Sequence, residues 1–483
     1  MLRKLIITFV IFGALLAVIF GVLWAMFNSG KLQEAAVDTV LDRITQNATS
    51  TEAQAEEANF IKKLLGFSGT ETYLVLLLNN TELRPGGGFI GSYATIQVKN
   101  GVPSILRVEG TELLDYSGYP TNFPSVPPVP FTTFLKLDRW YFRDSNWSPD
   151  FPTSASTSLD LYRKQQGVAA SEVKTVVAIT TTVLEELLKI TGPITVNGEE
   201  FTSSNVVEKL QYEVEQNFDD KGLSRDDRKQ ILGDLVKIMT RKLATDAFTH
   251  WPEYFNLAER LLKEKQVAIY ATAPSDQRII RAKGWSADMK SDYQYDYLMW
   301  ADANLGALKT DAAVKRELYY TITPAGDKYI GTVIMKYIHQ RKTDWRTSRY
   351  LTYARLFVPQ GSELVRARGL SKNALGVAGA PADQGEELGR KWFGGFASVE
   401  PLSQDEVMFQ FTLAPQIVEK IKKGAYQLLV QKQIGTTNHA LTVQLDFGKS
   451  IANATPANTP GNEKKYSIKT DLRTDREFFL NLQ

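Results

Sequence analysis

From Leu5 to Phe27 the chain carries no charged residue and is built almost wholly of Leu, Ile, Val, Phe and Ala. A helix of about 20 such residues crosses the hydrocarbon core of a bilayer. Arg3 and Lys4 precede the run, and Glu34, Asp38 and Asp42 follow soon after Lys31. The excess of basic residues on the cytoplasmic side then leaves a very short tail inside and everything else outside. A cleaved signal peptide has an apolar region of about 7–15 residues and a small-residue cleavage site. This run is longer and ends in W-A-M-F. The expectation is a retained, single-pass anchor over residues 1–30, with the bulk of the chain extracytoplasmic at the cell membrane.

A length of 483 residues exceeds what one core usually serves, so two folded domains are expected beyond the anchor. With 56 Lys plus Arg against 54 Asp plus Glu, the net charge of +2 supplies no general field for nucleic acid, and no nucleic-acid role is expected. Cysteine is absent, which excludes disulfides, thiolate metal sites, a cysteine nucleophile and a lipidated N-terminal cysteine. The three histidines, His250, His339 and His439, lie in separate segments without helical spacing. That argues against a zinc centre or a serine–histidine hydrolase, both of which rely on imidazole.

The best candidate site follows the short apolar run Tyr73 to Leu78, which reads as a buried strand. The chain continues N-N-T-E-L-R-P-G-G-G-F-I-G-S-Y from Asn79, so the strand delivers Asn79, Asn80, Glu82 and Arg84 onto a turn. Pro85 fixes φ and removes a donor, while Gly86, Gly87 and Gly88 permit positive φ and close approach of another group to the backbone. Two readings stay open. One is an anion cradle. The other is a glycine-rich hairpin in which Arg84 pairs with Glu82 or another acid.

Residues 31–59, rich in Ala, Gln, Glu and Thr, read as a helical stalk, and residues 60–311 as an α/β ligand-binding domain with a mixed sheet. Within it, the five prolines from Pro120 to Pro130 mark a long ordered loop. The segment W-Y-F-R-D-S-N-W-S-P-D-F-P then interleaves aromatic rings with Arg143, Asp144, Asn146 and Asp150, a texture suited to a sugar or headgroup surface. The alternative is a covering loop whose charges pair locally. Helices are expected over Ala155 to Gln166, Thr182 to Ile190 and Ser224 to Leu243, and a last strand over Tyr293 to Trp300. That strand runs on to Asp302, Asn304 and Asp311, which form either one wall of a site or an oxygen-rich turn. From 312 to 448, short strands at regular intervals suggest an all-β, Ig-like sandwich. Residues 449–483 read as a linker and a terminal hairpin.

Five segments carry a resemblance: N-N-T-E-L-R-P-G-G-G-F-I-G-S at Asn79, S-P-D-F-P-T-S-A at Ser148, L-L-K-I-T-G-P-I at Leu187, D-A-N-L-G-A-L-K-T-D at Asp302 and Y-Q-L-L-V-Q-K-Q-I-G-T at Tyr426. Together they resemble a family of membrane-anchored bacterial envelope proteins catalogued as a domain of unknown function. More remotely, the order of anchor, strand, arginine turn, Arg-Asp loop, strand, helix and Gly-Pro is similar to that of the LytR-CpsA-Psr phosphotransferases. These attach glycopolymers from polyprenyl-pyrophosphate carriers to the cell wall. That resemblance implies phosphate contacts from Arg84 and Arg143 and magnesium at Asp144 or Asp150. The sequence departs from the pattern after Arg84, where Pro85 and three glycines stand in place of an acidic residue. The leading expectation is a protein that binds an anionic or carrier-linked cell-wall glycan. A magnesium-dependent transferase and a non-catalytic structural or adhesive protein are the alternatives.

Overall fold

The computed structural model describes residues 51–117, 125–196, 198–215, 238, 239, 242, 250, 252–306, 308–373, 376–437, 439–457 and 464–483. The expected membrane span and most of the stalk lie outside the described residues, as does nearly all of the helix expected from Ser224 to Leu243. No helix among the described residues is long and apolar enough to cross a membrane. The fold is mixed α/β, predominantly strand, and divides into two units.

The first unit runs through Asn79 and continues over Phe89–Ser125 and Tyr141–Asp288. Its five-stranded sheet comprises β1 (Glu71–Asn79), β2 (Phe89–Lys99), β3 (Val102–Gly110), β4 (Val173–Thr180) and β7 (Val267–Ala271), in the order β3-β2-β1-β4-β7. A small hairpin of β5 (Ile194–Val196) and β6 (Glu199–Phe201) stands apart from it. β1 pairs antiparallel with β2 and parallel with β4, which places it centrally. That position explains its sequence. A strand covered on both faces reads as a continuous apolar run, and every residue of β1 from Glu71 to Leu78 is buried. Tyr73, Val75 and Leu77 pack with Val183, Leu184, Leu187 and Leu188 of the helix Thr182–Thr191, and with Phe60 and Ile61 of the helix Thr51–Leu64. Each such aliphatic or aromatic side chain contributes about 1.5–3 kcal/mol by leaving water.

The second unit gathers Asn80–Gly88, Val126–Trp140 and Met289–Gln483. Its strands are β8 (Asp296–Asn304), β9 (Val314–Ala325), β10 (Lys328–His339), β11 (Tyr350–Pro359), β12 (Glu363–Arg368), β13 (Asp383–Glu387), β14 (Arg390–Val399), β15 (Gln404–Thr412), β16 (Ala425–Gln431), β17 (Ala440–Asp446), β18 (Ile451–Thr455), β19 (Lys465–Asp471) and β20 (Arg476–Leu482). They form a six-stranded sheet, β12-β15-β10-β9-β17-β19, and a seven-stranded sheet, β13-β14-β11-β8-β16-β20-β18. The two share one core, to which β9, β10 and β15 contribute Tyr320, Val333 and Phe409, and β8, β11 and β14 contribute Trp300, Leu356 and Phe393. Two pairings, β17 with β9 and β16 with β8, are parallel. Within this unit Phe131 is buried, and the Phe134 ring stacks on Phe396 at 3.9 Å, so the proline-rich approach ends in packed aromatic contacts.

Two boundaries differ from expectation. The strand expected to close the α/β domain is β8 of the seven-stranded sheet in the second unit, where all nine of its residues are buried and it is paired on one side by β11 and on the other by β16. The expected terminal hairpin does not form. β19 pairs with β17 in one sheet, whereas β20 pairs with β16 and β18 in the other, so Leu472 to Asp475 bridge two sheets. Leu472 is buried, and its N–H donates to the His439 carbonyl at 2.7 Å.

Gly435 has a φ of 77°, and a Cβ placed on it would lie 2.0 Å from the Gly87 carbonyl oxygen. Gly435→Ala is therefore expected to combine backbone strain of about 1–3 kcal/mol with a clash against main chain, and to lower the melting temperature in thermal unfolding.

Candidate functional site

Two polar clusters stand out, one in each unit. In the second unit, alternation along β9 points Val314, Arg316, Leu318, Tyr320 and Ile322 inward, which takes a guanidinium into the core. Arg316 is 4% exposed. Its Nε donates to Asp302 Oδ2 at 2.9 Å, and its Nη2 donates to Tyr350 Oη at 2.7 Å and to Asp311 Oδ1. Asp302 also accepts from Tyr337 Oη at 2.6 Å and Thr352 Oγ1 at 3.1 Å. Burial disfavours the Arg316 cation, but Tyr350, Asp311 and Asp302 outweigh it and hold it well above its ordinary value.

The glycine loop is tied to this network. Asp311 Oδ2 accepts from the Leu83 N–H at 2.8 Å and from Asn304 Nδ2 at 2.8 Å. Arg84 is 2% exposed; Nη1 donates to the Asn304 carbonyl at 2.5 Å, and Nη2 lies 3.2 Å from Glu82 Oε1. Gln433 Nε2 donates to the carbonyls of Arg84 at 3.0 Å and Asp302 at 2.8 Å, and Asn80 Nδ2 donates to that of Gly435 at 2.8 Å. Gly86, Gly87 and Gly88 are all buried. The arginine turn is thus paired with the protein's own groups.

In the first unit, the short helix Thr111–Ser117 presents Asp115 and Tyr116 to the turn at Phe142–Asp144. Asp115 is 1% exposed; Oδ1 accepts from the Phe142 N–H at 2.7 Å and from Gln165 Nε2 at 3.3 Å, and Oδ2 accepts from the Arg143 N–H at 3.4 Å. The Arg143 guanidinium lies 3.6 Å from Asp115 Oδ2 and 3.7 Å from Asp144 Oδ2. It sits 4.1 Å from the Tyr141 ring centroid and 5.6 Å from that of Tyr116, within cation–π range. Tyr116 is 69% exposed. Burial opposes the charge on Arg143, but Asp115, Tyr116 and Asp144 raise its pKa above the ordinary value. Burial pushes the Asp115 carboxyl up to about 6, against the pull of the Phe142 N–H and Arg143.

The sequence-derived residues therefore fall into two groups. Asn80, Glu82, Arg84, the three glycines, Asp302 and Asn304 meet in the second unit. Asn79, Arg143, Asp144, Asn146 and Asp150 belong to the first, where Asn79 Oδ1 accepts from Gln211 Nε2 at 3.4 Å. Asn146 is buried, and Asp150 caps the helix Phe151–Lys164, its Oδ2 accepting from the Thr153 N–H at 2.9 Å and Oγ1 at 2.7 Å. Among the described residues there is no group of three or more His, Asp or Glu side chains that could hold a metal ion. A magnesium site would rest on Asp144 and on Asp150, whose Oδ2 is already the helix cap. Sequence reasoning missed Asp115, Arg316 and Gln433. For Arg316 a signal existed, since an arginine in the inward row of an alternating strand marks a buried charge.

Residues 68–214, under a third of the chain, match the family described as "Protein of unknown function (DUF4012)". No curated protein gives a significant match. Among solved structures, the chain is similar to a "putative nutrient binding protein" from Legionella pneumophila, with 8% identity and a TM-score of 0.24 over 35% of this chain and 67% of that one. It is also similar to an M1 zinc metallopeptidase from Deinococcus radiodurans, with 11% identity and a TM-score of 0.19 over 35% of this chain and 42% of that one, so it spans less than half of the enzyme. Likenesses of this size fix neither fold nor function.

Two outcomes follow from the geometry. Arg84→Ala removes one partner of a buried ion pair and is expected to cost about 3–5 kcal/mol in chemical denaturation. For Asp115, the folded carboxyl titrates near 6 against an ordinary 3.8, so the native state holds the proton more tightly. The resulting stabilisation is full below about pH 4 and lost as the pH rises through 6. Relative to Asp115→Asn, the wild type should lose about 2 kcal/mol between pH 4 and 7, read as diverging melting temperatures. Parallel pH profiles would contradict this.

Proposed function

We propose that this is a membrane-anchored, extracytoplasmic bacterial envelope protein that binds an anionic or carrier-linked cell-wall glycan through Arg143, Tyr116 and Tyr141 of its first unit. The observation that carries the reading is the largely exposed Tyr116 ring held beside an oriented guanidinium. Aromatic faces stack on the C–H faces of sugars, and a positioned arginine donates to their oxygens. Asp115 serves this arrangement from beneath, because its two oxygens fix the backbone on which Arg143 sits. The uncharged run from Leu5 to Phe27, with Arg3 and Lys4 before it, supports the anchor and its orientation. Kinship of the first unit with LytR-CpsA-Psr proteins, and an Ig-like character for the sandwich, belong to the same reading.

Co-sedimentation of the detergent-solubilised full chain with purified bacterial cell-wall polysaccharide tests it. Tyr116→Ala should weaken binding at least about ten-fold, as expected where base- or sugar-sized rings lose a stacking partner worth about 1–3 kcal/mol, with little change in melting temperature. Binding that is unaffected by Tyr116→Ala and Arg143→Ala, or no binding at all, would refute the proposal.

A further inference from the structure

The charge arrangement at Arg143 narrows what its surface takes. A bare arginine between tyrosines would suit a phosphate or carboxylate, but this guanidinium faces two carboxylates, Asp115 at 3.6 Å and Asp144 at 3.7 Å. The three groups sum to a charge of −1. Nη1 lies within ion-pair distance of one acid and Nε of the other, so the cation is already met on two sides by the protein's own negative charge. An incoming phosphate would meet a cluster whose net charge is already negative. What remains is the exposed face of Tyr116, the Tyr141 ring inclined to it at 62° with centroids 6.2 Å apart, and the partly exposed guanidinium of Arg143. A polyhydroxylated ring suits these groups: its C–H face covers an aromatic face, and its hydroxyls accept from the part of the guanidinium that stays exposed.

We infer that the part of the ligand seated on Tyr116, Tyr141 and Arg143 is an uncharged sugar ring, and that the site discriminates against the same sugar when it is phosphorylated. Any anionic or carrier-linked portion of the glycan then lies away from these three residues. The inference rests on the glycan-binding reading above and deepens it.

The test compares a β-1,4-linked N-acetylglucosamine tetramer with its 6-phosphorylated counterpart, titrated into the full chain in detergent at low and high salt. The neutral tetramer should bind at least ten-fold more tightly, with an affinity that does not change with salt. Tyr116→Ala should abolish its binding. Asp144→Asn takes the group from −1 to 0 and should narrow the preference several-fold. Because Asp144 is buried and that variant can unfold, Tyr116→Ala, altered at an exposed position, keeps the test decisive. Tighter binding of the phosphorylated tetramer, weakening as salt rises, would overturn the inference while leaving glycan binding intact. Binding of neither tetramer would overturn the inference, and if cell-wall polysaccharide also failed to co-sediment, the glycan reading would fall with it.

Discussion

The second unit depends on one buried charge. Taking a guanidinium into a sandwich core is tolerated only if its charge is met and its donors are satisfied, since a lone buried ion costs several kcal/mol even after relaxation. Arg316 meets that condition through Asp302, Asp311 and Tyr350, and the two acids in turn recruit Tyr337, Thr352, Asn304 and the Leu83 amide. Hydrogen bonds of this kind are directional where apolar packing is not. They therefore help set the conformation of residues 80–88, whose backbone is held by the Asp311 and Gln433 side chains as well as by the Asn304 and Asp311 amides. Close packing finishes the task, since the Gly87 backbone approaches Gly435 so nearly that a side chain at Gly435 would run into it.

Two arginines that looked alike in sequence have different circumstances. Arg84 is enclosed, and its donors go to Glu82 and a carbonyl. Arg143 keeps 18% of its side chain exposed and lies against two rings, one of which is mostly in solvent. The first is an element of architecture. The second is reachable, and its local chemistry is governed as much by the acids beside it as by its own charge.

What could be read in advance follows from range. β1 was legible because a strand covered on both faces must be apolar throughout, and β9 and β10 because alternation is a local property. The helix expected from Ala155 begins earlier, at Phe151, because Asp150, taken from sequence as a site residue, caps it. β8 was assigned to the wrong neighbours, because a fully buried strand reads the same whichever sheet surrounds it. β19 and β20 looked like a hairpin because their spacing permits one, but pairing is decided by partners far along the chain. At the site, Arg143 and Asp144 were visible as neighbours in sequence. Asp115 was not, since nothing in T-E-L-L-D-Y indicates which amides its carboxylate will meet 27 residues later.

The path of the chain through its two units has a consequence for biosynthesis. The loop bearing Arg84 is made early, yet the Gln433 amide that holds its carbonyl lies 349 positions further on. At ribosomal speeds of about 5–20 residues per second, that partner emerges some tens of seconds afterwards. During that interval the first unit can close its own sheet, but Asn80–Gly88 and Val126–Trp140, which belong to the second, must wait. An arginine and three glycines that end up buried thus spend the opening stage of the protein's life without the partners that later enclose them.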